Sequence, residues 1–114
     1  MTSAARAAIR DPANAVYVSL VSAWELALKA SIARLDPTVG ALVRDEPTFV
    51  GHLADSGFEL LPLGLRHVFA AAALPSHHRD PFDRMLIAQA RTEGLTLVTA
   101  DGALSVYDVP ILAT

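Results

Sequence analysis

Four short, predominantly apolar runs set the strongest limit on how this chain can fold: VYVSLV (16–21), FELLPL (58–63), LTLVT (95–99) and VPILA (109–113). Each has the length of a strand and favours β-branched or aliphatic residues, and a continuous apolar run suits a strand covered on both faces. Between the runs the spacing becomes helical. Trp24, Leu28, Ile32 and Leu35 recur after Ser22, and Phe49, Val50 and Leu53 lie between Pro47 and Gly57. Leu65, Val68, Phe69 and Ala72 form a third stripe that Pro75 ends. Phe82, Met85, Leu86 and Ala90 form a fourth, with Pro81 in its first turn and Gly94 in the C-cap position. Strands alternating with helices predict βαβ units: a three-layer α/β/α sandwich around a central, mostly parallel sheet.

A chain of 114 residues, 53% of them hydrophobic, is enough for one such domain over 1–114 and too short for two. No repeat, low-complexity tract or charge block divides it. The absence of cysteine excludes a disulfide framework and thiolate zinc sites, and fits a reducing compartment. No apolar run approaches the ~20 residues of a membrane span, so the expected location is cytoplasmic, with no membrane contact. The net charge of −3 gives no broad basic field for nucleic acid, and phosphate chemistry here would need a cation to bring the charge.

Ligands of open parallel sheets bind at the carboxyl ends of strands, which directs attention to four acids. Glu25 follows the first run by four residues, Asp101 follows LTLVT by two, and Asp80 and Asp83 open the helix that leads into LTLVT. Each has a structural explanation. Ser22 and Glu25 in SAWE match a capping box, Asp80 and Asp83 in DPFD suit a helix start, and Asp101-Gly102 is an ordinary turn pair. Their convergence would mean something else. Three carboxylates within a few ångströms repel one another unless a cation lies between them, and a hard divalent ion such as Mg²⁺ or Mn²⁺ prefers such oxygen ligands.

VSAWELALK, HHRDPFDRMLIAQA, LTLVTADGAL and YDVPIL, in this order and spacing, resemble the PIN (PilT N-terminus) domain nucleases, most of all the VapC-type toxins of toxin-antitoxin pairs. The resemblance runs from Ala4 onward. Its most specific part is Asp83 followed by Ala88 and Ala90, then a glycine and LVT-x-D. It implies a three-layer α/β fold that cleaves RNA with Mg²⁺ or Mn²⁺ held by an acid cluster. Carried onto this chain, it makes Glu25, Asp83 and Asp101 the metal-binding and catalytic acids, with Asp80 a neighbour of the cluster. It also implies a cognate antitoxin protein and a homodimer as partners. The family's opening strand, which ends in a first metal-binding aspartate, has no counterpart here, so the resemblance implies an N-terminally truncated domain lacking about twenty residues, roughly one strand and a few helical turns. A non-catalytic remnant that binds an antitoxin or dimerises is the competing expectation.

The remaining residues are weighed against those acids. Arg79 and Arg84 flank them and are candidates to meet the RNA backbone, or else solvated surface charges. His77 and His78 are adjacent, so their side chains diverge and cannot both reach one ion; they read as loop residues with a possible RNA contact. Trp24 and Phe82 lie on apolar stripes and read as core. Lys29 sits four residues after Glu25, the favourable order for a helical ion pair.

Overall fold

The computed structural model describes residues 1–32 and 34–114. In chain order its elements are α1 (Ser3–Arg10), β1 (Tyr17–Ser19), α2 (Leu20–Ser31), α3 (Pro37–Leu42), α4 (Glu46–Ser56), β2 (Glu59–Leu61), α5 (Leu65–Ala73), α6 (Pro81–Glu93), β3 (Leu97–Thr99), a 3-10 helix (Gly102–Val106) and β4 (Ile111–Ala113). They form two compact units. One comprises Met1–Asn14 and Leu63–Thr114, the other Ala15–Pro62. Among the described residues no helix is long and apolar enough to cross a membrane.

All four apolar runs form strands, and both pairings are parallel, so the α/β character read from the sequence holds. β1 pairs with β2 from Tyr17 opposite Glu59 to Ser19 opposite Leu61, and β3 pairs with β4 from Leu97 opposite Ile111 to Thr99 opposite Ala113. Among the described residues the strands lie in two sheets of two rather than in one clear central sheet of a three-layer sandwich. Nor are the strands covered on both faces. Side chains alternate across a strand, so an apolar run places apolar groups on both sides, and each strand here leaves at least one of its three residues exposed. In β3 Leu97 and Thr99 are half-buried while Val98 between them is exposed; Tyr17 and Leu60 are exposed in the other sheet.

Helix boundaries follow short polar caps. Ser19, the last residue of β1, accepts the Val21 N–H at 3.0 Å and starts α2 directly from the strand. The expected Ser22–Glu25 capping box is displaced for that reason: the helix is already under way at Ser22. α4 starts at Asp45 and ends at Gly57, whose φ of 72° is the left-handed geometry that glycine adopts without a Cβ penalty. α6 matches its sequence reading closely, with Asp80 as N-cap, Pro81 at the first position and Gly94 at φ 69° after its last turn.

α5 turns a different face inward from the one its apolar stripe suggests. Leu65 is 72% and Phe69 68% exposed, while His67 and Ala71 are buried. The cause is a polar pin. The Gly64 N–H donates to His67 Nδ1 at 2.9 Å, so the hydrogen sits on Nε2, which lies 2.8 Å from Glu93 Oε1 at the end of α6. A buried imidazole with both nitrogens satisfied fixes the rotation of α5 against α6, and the small Ala71 lets the helices approach.

Around this helix pair the unit's core gathers Leu74, Ile87, Leu104 and Tyr107, with Leu97, Val109 and Ile111 packed against them. Thr2, the N-cap of α1, donates its hydroxyl to the Ala113 carbonyl at 2.8 Å and ties that helix to β4. Arg84 closes the turn between α5 and α6. Its Nη2 donates to the carbonyls of Ala71 (2.9 Å) and Leu74 (3.0 Å), and its Nη1 to those of Pro75 (2.9 Å) and His78 (3.3 Å). The carbonyls at a helix C-terminus lack intrahelical donors and carry partial negative charge, which makes a guanidinium their natural partner.

Two outcomes follow. Arg84→Met strands those carbonyls and should destabilise the protein by about 2–4 kcal/mol, read as a lower midpoint in chemical denaturation. Asp45 gives a pH effect. The Thr48 backbone N–H and hydroxyl, with the Arg44 charge beside them, hold its carboxyl below its usual range. A lowered value in the folded state means that the cap is fully present above the unfolded-state value and is lost as pH falls through the folded one. A loss of amide protection at Thr48 in acid, measured against the exchange of an open chain at the same pH and absent from Asp45→Ala, is the expected signature.

Candidate metal centre

Asp80 and Asp83 owe their positions to the start of α6. Asp80 Oδ1 accepts the Phe82 N–H at 2.9 Å, the ordinary bond of an N-cap. Asp83 lies in the first helical turn, where the positive end of the helix dipole favours a carboxylate. The loop before them supplies a third group. His78 Nε2 lies 2.8 Å from Asp83 Oδ2, both side chains being about one quarter exposed. One donor atom from each of His78, Asp80 and Asp83 lies within 4.8 Å of the others.

This donor set suits a divalent cation. Two carboxylates at close range repel, and a cation between them relieves that repulsion. Their remaining oxygens are hard donors of the kind Mg²⁺ and Mn²⁺ take, and the His78 bond uses one oxygen of Asp83 and leaves Oδ1 for an ion.

The other acids lie on other elements. Asp101 follows β3 in the same unit and is half-buried. It caps the 3-10 helix through the Ala103 N–H at 3.0 Å, and its own N–H donates to Thr99 Oγ1 at 3.1 Å. It stands outside the His78–Asp80–Asp83 group. Glu25 belongs to the other unit, half-buried on α2, with Lys29 Nζ at 3.7 Å in the expected i,i+4 pair.

Among the flanking residues Arg79 is exposed, as a phosphate-contacting cation would be. Arg84 is not available for that role, because its guanidinium is committed to four backbone carbonyls and approaches the Tyr107 hydroxyl at 3.5 Å. His77 sets its ring edge-on to Tyr107 at 5.4 Å. Phe82 is half-buried, whereas Trp24, read as core, is 58% exposed on α2. The residue that sequence reasoning underrated is His78. Its signal was its place two residues before a capping aspartate, where the chain turns back over the first helical turn.

A family model described as PIN domain matches residues 2–110, and the chain belongs to that family. No curated protein and no solved structure matches it. PIN domains are α/β folds, usually nucleases that use divalent metal ions, which agrees with the mixed helix and parallel-strand structure and with the acids at the head of α6.

The capping part of this description is separable from metal chemistry. Asp80→Ala should destabilise the protein by about 1 kcal/mol and Asp80→Asn by much less, since asparagine caps nearly as well. Equal losses in urea denaturation of the two variants would sink the capping assignment.

Proposed function

We propose that this PIN-domain chain is an endoribonuclease dependent on Mg²⁺ or Mn²⁺ and the toxin of a VapC-type toxin-antitoxin pair. The observation that carries the nuclease reading is the set of donor atoms at the start of α6, where Asp83 and Asp80 approach each other with His78 between loop and helix. In this reading Asp83 is the chief metal ligand. Asp101, beyond the carboxyl end of β3, would hold the metal or the attacking water through its carboxylate. Glu25 is the third acid on sequence likeness alone.

A divalent ion bound there would polarise a phosphodiester oxygen and make a bound water acidic enough to serve as nucleophile. The chain's own contribution is positioning. α6 aims its positive end at the site, Asp80 keeps that end formed, and the exposed Arg79 offers a charge to the RNA backbone. With a net charge of −3 the protein has no broad attraction for RNA, so Arg79 and the ion would supply it. The partners in this reading are RNA, a cognate antitoxin protein and a second copy of the chain.

A second reading is favoured by a different observation. On α2 Trp24 and Ile32, eight residues apart on one helical face, are about 60% exposed, and Leu28 between them is also open. Such a stripe suits a protein partner, and it would serve a non-catalytic remnant that binds an antitoxin or dimerises equally well.

The two readings part at Asp83. Calorimetric titration of Mn²⁺, alongside cleavage of a labelled RNA, should show binding and cutting by the wild type. Asp83→Asn should lose both while its denaturation midpoint stays near native. Unchanged Mn²⁺ affinity in that variant would end the nuclease reading and leave the partner-binding one.

A further inference from the structure

We infer that His78 is a positioning residue for Asp83: its Nε2–H holds one carboxylate oxygen so that the other is presented to the metal. The inference rests on the metal-dependent reading above. A carboxylate in the first turn of a helix has open rotamers and free rotation about its last bond. His78 removes that freedom through the 2.8 Å bond to Oδ2. Carboxylate ligands are commonly held by such outer hydrogen bonds, which orient the ligand before the ion arrives.

The imidazole can do this because its own backbone is held. Arg84 Nη1 donates to the His78 carbonyl at 3.3 Å and to the Pro75 carbonyl at 2.9 Å, which pins both ends of the loop that carries the histidine. The neighbouring His77 rests edge-on against Tyr107, whose hydroxyl donates to Pro75 at 3.1 Å. The loop is thus anchored to the same core that supports α6, and His78 and Asp83 keep their separation as one body.

The chemistry separates this role from ligation. A nitrogen that donates a hydrogen bond has no lone pair for a metal, so Nε2 bonded in this way orients the ligand and does not itself join the coordination shell. The neutral Nε2–H tautomer and the imidazolium both donate, so the assignment does not depend on the charge of the ring.

The test measures Mn²⁺ affinity by calorimetry for the wild type, His78→Gln, His78→Leu and Asp83→Asn, with thermal unfolding of each metal-free chain as control. Glutamine places an amide N–H near the position of Nε2; leucine has no donor. The expected result is a loss of about 10- to 100-fold in affinity for His78→Leu, substantial recovery in His78→Gln, and no binding in Asp83→Asn. Equal losses in the glutamine and leucine variants overturn the assignment, because a packing role is not rescued by an amide donor. Wild-type binding that is lost in Asp83→Asn and unchanged in His78→Leu overturns this inference alone and leaves the nuclease reading intact. A wild type that takes up no Mn²⁺ overturns both. Should the leucine variant fail to fold, a long-range ¹H–¹⁵N spectrum of the metal-free wild type decides: a hydrogen on Nε2 of His78 supports the role, and a ring protonated at Nδ1 alone overturns it.

Discussion

The guanidinium of Arg84 is the contact on which the better-packed unit depends. One cation donates to the carbonyls that end α5, to those of the connecting loop at Pro75 and His78, and to the Tyr107 hydroxyl oxygen. Unpaired, those carbonyls would be expensive to cover with protein, and a charged donor with a planar fork satisfies several at once. Arg84 leaves α6 one residue after Asp83, so the residue that fixes the turn and the residue at the centre of the candidate site share one helical turn. Misplacing the turn would move the site.

That coupling bears on the choice between cap and ligand. Capping accounts fully for Asp80 Oδ1, and the helix dipole accounts for an acid at position 83. Neither accounts for an imidazole brought to 2.8 Å of Asp83, since a carboxylate in a first turn needs no further partner to stabilise the helix. The loop geometry that puts His78 there is built by Arg84 and Tyr107. A structural role and the proposed metal role are therefore compatible on the same short segment, since they fall to different oxygen atoms.

Features governed by local rules were legible in the sequence. The four apolar runs became strands, and Pro81 and Gly94 bracketed α6, because backbone geometry at those residues is decided within a few positions. Features decided by distant partners were not. The inward face of α5 is set by His67 meeting Glu93, 26 residues on, and a hydrophobic periodicity cannot report a buried polar pin. Arg84 read as a surface cation because its five partners are four backbone carbonyls and one hydroxyl, and carbonyls have no sequence signature. The start of α2 moved to Ser19 because the strand feeds the helix without a loop, which removes the turn that would have placed the cap at Ser22.

The same distinction ranks the candidate acids. Among the described residues of the unit Ala15–Pro62, only Ser19 and Val21 are buried, so its helices are held mainly by local forces: the caps at Ser19, Asp36 and Asp45 and the left-handed Gly57. Glu25 is oriented there by its helix and by an ion pair of 3.7 Å to Lys29, a partly exposed contact of the kind that contributes less than about 1 kcal/mol. Asp83 is oriented by a 2.8 Å bond whose donor is itself anchored to a core of Leu74, Ile87, Leu104 and Tyr107. Metal affinity depends on how little a ligand must be rearranged on binding. By that criterion Asp83 is the acid whose carboxylate is held more firmly, and Glu25 is held only by its own helix and that ion pair.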